Sequence, residues 1–159
     1  LMINMGNGKF ADGCVVPSPF CTDLHVSRGL LTGDIDADGD LDIVVMNSNG
    51  PTRLYRNTIE DKGGWLKLRA FDPALKRDAI GARVRIRIGD TWQVRPVIHS
   101  DSYLSSHDAV AHFGMGSAIA TDEIIVTWPR GDTERFPPLT RNQMAVLLKG
   151  KGVFIEAAK

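Results

Sequence analysis

The chain has 159 residues, with 19 basic and 19 acidic side chains and no net charge. That length holds one domain, or one domain with a small appended piece. The charge balance speaks against a general nucleic-acid or membrane-surface binder, and no apolar run reaches the roughly 20 residues that a membrane-spanning helix needs. The chain opens on Leu1 rather than on an initiator Met, as a fragment or processed piece would, so a missing signal peptide carries no information. Sixteen glycines and eight prolines punctuate the sequence, a pattern of short strands and turns that predicts an all-β protein.

Leu1-Met2-Ile3-Asn4 reads as a short strand that ends in Asn and enters a turn through Gly6-Asn7-Gly8. Cys14 and Cys21, the only cysteines, follow. They leave three readings open: a disulfide closing a small loop in a secreted protein, two free thiols, or a soft-metal site that includes His25.

The run Asp34-Ile35-Asp36-Ala37-Asp38-Gly39-Asp40-Leu41-Asp42 carries the most information. Carboxylates this dense repel one another unless a cation sits among them. A hard dication with oxygen ligands relieves that repulsion, and Ca2+ accepts six to eight such ligands in flexible geometry. The spacing resembles the first half of an EF-hand loop, with Asp34, Asp36 and Asp38 at side-chain positions, Asp40 at the carbonyl position and Gly39 at the turn. An EF-hand needs a bidentate Glu at the twelfth position, where this chain has Val45, so Asp42 is the expected closing carboxylate. The flanks, Gly29 to Gly33 and Leu41 to Met46, are short, apolar and rich in β-branched residues, which places the ion in a turn between two strands. A fully ligated ion offers no open position for a substrate, so the expected role is structural. The alternative is a solvated acidic turn without metal. Ser48-Asn49-Gly50-Pro51 then turns the chain into Arg53-Leu54-Tyr55-Arg56-Asn57, a strand that again ends in Asn and hints at a repeat.

The second half alternates. Leu66, Leu68 and Ala70 face one side of a strand and Lys67 and Arg69 the other; Val84, Ile86 and Ile88 alternate with Arg83, Arg85 and Arg87. Pro73 to Lys76 allows one helical turn. Gly89-Asp90 starts a hairpin, and a three-residue connection through Thr91 would set Val94 opposite Ile86 and turn Trp92 inward. Short strands are expected at Glu123–Trp128, Thr133–Phe136, Met144–Leu148 and Val153–Ile155, giving a β-sandwich or jelly-roll-like domain. Arg83, Arg85 and Arg87, with Arg95 expected beside them, read as a solvated sheet face that guards against edge pairing, or as a strip for an acidic glycan or protein. His99, His107 and His112 would need to converge to hold zinc or copper; a hydrogen-bonding role for His112 is the preferred reading. No nucleophile elbow, P-loop, zinc-protease helix or dinucleotide fingerprint appears. Ser105-Ser106-His107-Asp108 contains triad residue types without implying triad geometry.

Residues 28–57, from Arg28-Gly29-Leu30 through the acidic run to Arg56-Asn57, resemble an FG-GAP/VCBS repeat. Ala79-Ile80-Gly81-Ala82-Arg83-Val84, Ser102-Tyr103-Leu104-Ser105-Ser106, His112-Phe113-Gly114-Met115-Gly116 and Val126-Thr127-Trp128-Pro129-Arg130-Gly131 are similar to the ASPIC/UnbV domain, which follows such repeats in the cartilage acidic protein-like family. The resemblance implies a β-propeller-type blade with a calcium loop at 28–60, preceded at 1–27 by the end of another blade and a connecting loop. An ASPIC/UnbV β-sandwich at 61–159 follows. It implies side-chain ligation by Asp34, Asp36, Asp38 and Asp42 and carbonyl ligation by Asp40. The expected function is a non-catalytic, calcium-binding module, extracellular or at the cell surface, for adhesion, surface display or protein assembly. Its expected partners are the remaining propeller blades, another chain, or a second copy through unpaired strand edges. The alternatives are a carbohydrate-binding module using Trp65, Trp92 and Trp128, and an accessory protein of natural-product biosynthesis.

Overall fold

The computed structural model of the chain describes residues 1–15, 18–60 and 63–155. Val16 and Pro17 of the cysteine loop, position 61 at the expected domain start and the last four residues lie outside the described residues. The protein is all-β, as its turn residues and alternating apolar positions dictate.

The first part holds two small antiparallel sheets. Strands β1 (Met2–Gly6) and β2 (Lys9–Asp12) form a hairpin whose turn uses positive φ at Gly6, Asn7 and Gly8. A single turn of helix, α1 (Pro19–Thr22), starts with proline at its first position, where the missing N–H costs nothing. It lies within the loop that a Cys14–Cys21 disulfide closes. Strands β3 (Ser27–Gly33), β4 (Asp42–Asn47) and β5 (Arg53–Tyr55) then form the second sheet in the order β3-β4-β5. The acidic run is the β3–β4 connection, between two strands as its flanks predict. Among the described residues no propeller closes: the β1–β2 hairpin pairs with itself and not with this sheet.

The second part is two sheets over one core. Strand β6 (Gly64–Asp72) is central to the first, between β10 (Ala111–Gly116), antiparallel to it, and β13 (Gln143–Leu148), which runs parallel. A short β7 (Arg77–Asp78) folds back on β6, where Arg69 donates to the Asp78 carboxylate at 2.6 and 3.0 Å. The second sheet has the order β14-β12-β11-β8-β9, formed by β8 (Arg83–Ile88), β9 (Thr91–Pro96), β11 (Glu123–Thr127), β12 (Thr133–Phe136) and β14 (Val153–Phe154). Leu66, Leu68, Ala70 and Phe113 from the first sheet and Val84, Ile86, Ile124 and Val126 from the second are all fully buried in the shared cluster. Trp128 packs edge-on against Phe136 there, with ring centroids 6.5 Å apart.

Several expectations are corrected. Pro73 to Lys76 form the four-residue turn between β6 and β7, not a helical turn; Asp72 accepts from the N–H groups of Ala74 and Leu75, which closes a tight loop instead. The β8–β9 hairpin has a two-residue turn at Gly89-Asp90, with Gly89 at φ +56°, the glycine position that short hairpins favour. Gln93, not Val94, therefore lies opposite Ile86, and Trp92 and Val94 stay on the outer face, each more than 40 % exposed. The inward place is acceptable to Gln93 because β9 is an edge strand, and its side-chain amide donates to the Gly114 carbonyl of the facing sheet at 2.8 Å. The same register puts Arg95 opposite Val84, on the face away from Arg83, Arg85 and Arg87, with its guanidinium over the Phe113 ring at 5.6 Å.

Glu134 is fully buried, and its carboxylate accepts from the N–H groups of Gly150 and Gly152 at 2.9–3.1 Å, which ties the β13–β14 turn to β12. Replacing it leaves two turn donors without their acceptor. Glu134→Ala is expected to cost about 2–3 kcal/mol, read as a lower urea midpoint with an unchanged m-value; an unshifted midpoint would refute that role.

Candidate metal centre

The β3–β4 connection folds its carboxylates inward because the chain turns twice with positive φ, at Ala37 (φ +60°) and Gly39 (φ +98°). The result brings carboxylate oxygens of Asp34, Asp36 and Asp42 within 4.8 Å of one another. Two unit charges at that separation repel by about 3 kcal/mol at an effective dielectric near 20. Asp38 and Asp40 are not part of this group; Asp38 accepts from the Asp40 N–H at 3.0 Å, a contact that shapes the tip of the loop. Of the five aspartates singled out from the sequence, three thus converge through their side chains.

Each converging carboxylate has a distinct environment. Asp42 is 1 % exposed, and its two oxygens accept from the N–H groups of Asn57 (2.8 Å) and Ile35 (3.0 Å), so it joins the loop to the chain leaving β5. Asp36 is the outermost, in an ion pair with Arg56 at 3.0 Å. The Asp34 side chain is 2 % exposed; its Oδ2 accepts from the Gly39 N–H at 2.9 Å and from the Lys67 ammonium of β6. Its Oδ1 is buried and accepts no hydrogen bond among the described residues. An oxygen in that position is costly without a partner, and an all-oxygen donor set suits a hard cation rather than zinc or copper.

The second part of the chain grips this loop. Trp65 lies so close over Gly39 that an added Cβ would overlap the indole ring. His112 of β10 donates from Nε2 to the Gly39 carbonyl at 2.7 Å; the carbonyl can only accept, which fixes the proton on that nitrogen. Further along, the Ser102 hydroxyl accepts from the Leu30 N–H at 3.2 Å. The loop therefore sits against strands β6 and β10. A cleft of about 590 Å³ opens beside it, between Leu31, Ile35 and Val44 on one wall and Lys67, Ile98 and Val110 on the other.

The acidic run was visible in the sequence, but the contacts of Trp65, Lys67 and Arg56 with it were not. Lys67 read only as an outward position of an alternating strand, and its partner lies 33 residues away. The hydrogen-bonding role anticipated for His112 is what the structure gives it. The histidines do not assemble into a metal-binding group among the described residues: His107, in the connection before β10, has its Nε2 3.4 Å from Asp101 and its Nδ1 3.0 Å from the Asp108 carbonyl. The outward arginines are engaged locally, with Arg85 and Arg87 over the Trp92 ring at 5.3 and 5.9 Å and Arg87 and Arg135 both paired with Glu123.

An all-β chain in which a three-stranded acidic-loop sheet is held against a two-sheet module is the class that fold and site define. The family model described as ASPIC and UnbV matches residues 72–153, just over half of the chain, and the chain belongs to that family. No curated protein matches it. The acidic loop, β3 to β5 and most of β6 precede the matched segment.

Gly39 meets two demands at once, a left-handed backbone and contact with an indole. Gly39→Ala is expected to displace the loop from Trp65. The measurable result is a changed Trp65 fluorescence relative to a Trp65→Phe control, with a stability loss of roughly 1–3 kcal/mol. Unchanged emission would contradict the contact.

Proposed function

We propose that this chain is a non-catalytic, calcium-stabilised module that serves adhesion, surface display or protein assembly outside the cell. The observation that carries the reading is the convergence of Asp34, Asp36 and Asp42 within 4.8 Å, together with a buried Asp34 Oδ1 that accepts no hydrogen bond among the described residues. Calcium accepts carboxylates and carbonyls at flexible angles, so these three side chains hold it, with Asp38 and the Asp40 carbonyl as further donors from the loop tip. When bound, the ion neutralises the carboxylates and adds its binding free energy to folding. The strand, acidic loop, strand, turn, strand order of residues 27–55 matches what an FG-GAP/VCBS repeat requires, and this sheet is then one blade of a propeller-type array.

The need for a partner follows from what the first part leaves uncovered. Every buried apolar side chain among the described residues lies at or beyond Leu66, whereas Met2, Ile3, Met5, Phe10, Leu30, Met46 and Leu54 are exposed. Among the described residues β3 and β5 are the outer strands of their sheet with no further strand paired to them, and unpaired edges recruit further strands. Neighbouring blades, another chain or a second copy would cover them. The Cys14–Cys21 disulfide suits an oxidising compartment, and no described helix is long and apolar enough to cross a membrane.

A carbohydrate site has less support. Trp128 is buried, Trp65 is packed on Gly39, and the Trp92 ring is occupied by Arg85 and Arg87, so none of the three tryptophans is an open platform for a sugar. A catalytic role lacks a nucleophile hydrogen-bonded to a base among the described residues.

Calorimetric titration with CaCl2 tests the reading. One binding event is expected, in the roughly 10⁻⁴–10⁻³ M range of extracellular modules, and calcium at 100 times Kd should raise unfolding stability by about 2.7 kcal/mol relative to EDTA. Asp36→Ala removes a ligand without breaking the buried hydrogen bonds of Asp34 or Asp42, so its calcium affinity should fall at least about tenfold, or 1.4 kcal/mol, while the calcium-free melting temperature holds. Absence of any heat or stabilisation with calcium ends this proposal. Native mass spectrometry of the same samples reads self-association, expected to involve residues 1–57; protection of that segment from proteolysis in a strict monomer would argue against the partner.

A further inference from the structure

We propose that Lys67 is a built-in competitor of the metal, a tethered cation that sets the calcium affinity of the acidic loop and couples it to the docking of that loop on β6. This rests on the calcium reading above and deepens it. The Lys67 side chain is only 17 % exposed, and its ammonium bonds to the Oδ2 of Asp34, whose side chain is 2 % exposed. A second cation among the described residues, Arg56 on Asp36, is 60 % exposed and contributes little, because solvent screens it. Among the described residues Lys67 is therefore the cation that chiefly compensates the buried Asp34 carboxylate while no ion is bound.

A dication that takes the Oδ1 of Asp34 must enter beside that ammonium. Like charges at such a separation in a partly buried site repel strongly, so calcium binds only as Lys67 withdraws. A landing place exists: the ammonium is already 5.1 Å from the centroid of the Trp65 ring, where a cation–π contact holds it once Asp34 is given up. Lys67 belongs to β6 and Asp34 to the β3–β4 loop, so the pair is also a clasp between the two parts of the chain. Linkage then makes the effect reciprocal. Calcium loosens this clasp, and whatever draws the loop away from β6 raises calcium affinity. The Trp65–Gly39 and His112–Gly39 contacts keep the loop in place meanwhile.

The test uses the full chain and CaCl2 alone. Lys67→Met keeps the length and apolar stem of the side chain and removes its charge. Its calcium affinity by calorimetry is expected to rise at least about tenfold, equivalent to 1.4 kcal/mol, and its calcium-free melting temperature to fall, since Asp34 then lacks its cation. In the wild-type chain, acylation of Lys67 by an amine-reactive reagent, followed by peptide mass spectrometry, should speed up severalfold at saturating calcium. This second readout does not depend on the variant folding. If the wild type binds calcium while Lys67→Met binds it equally or more weakly, or if Lys67 acylation is unchanged by saturating calcium, the competition is refuted and the calcium site stands. If neither protein binds calcium, both fall together.

Discussion

Three carboxylates drawn within 4.8 Å of one another define the physical problem that this chain solves. Their repulsion must be met by positive charge, and the protein meets it in two ways. Backbone N–H groups of Ile35, Gly39 and Asn57 point at Asp34 and Asp42, and the cationic side chains of Arg56 and Lys67 pair with Asp36 and Asp34. The N–H donors are part of the backbone and fix the shape of the loop. A loop built only from side-chain cations would be a salt-bridge cluster, and one built only from N–H donors would leave its charge uncompensated.

That constraint also explains how the two parts of the chain meet. The first part fully buries no apolar side chain among the described residues, so it adds nothing to the fully buried cluster of the second. The contacts between the two parts include a short set of polar and aromatic ones: Lys67 on Asp34, His112 on the Gly39 carbonyl, the indole of Trp65 against Gly39, and Ser102 under Leu30. Contacts of this kind are individually weak. The two-sheet module behaves differently, because its fully buried cluster from Leu66 to Leu147 is set by apolar packing that no ion touches.

Strand alternation was a reliable guide where a strand had neighbours on both sides. Leu66, Leu68, Ala70, Val84 and Ile86 are buried where the period of two put them. At the sheet edge the same reasoning failed. It placed Val94 inside because a valine there suits the pattern, but an edge strand buries only one flank, and the two-residue turn at Gly89-Asp90 determined the register. Gln93 then took the inward place because the Gly114 carbonyl was within reach of its amide. The parallel pairing of β13 with β6 had no local signature either, since the two strands are joined only after most of the second sheet has been laid down.

By itself the amino-acid sequence determined the all-β class, the acidic turn between two strands and the inward faces of the central strands, because turn residues, charge density and period-two alternation act over a few residues. It also carried the ASPIC and UnbV motifs. Only the tertiary structure decided which three of five aspartates converge, that Asp42 reaches the chain beyond β5, and that Lys67, Trp65 and His112 close over the loop. Those outcomes depend on how strands dozens of residues apart are laid beside one another. A lysine on an outward strand position looks the same in sequence whether it meets water or a buried carboxylate.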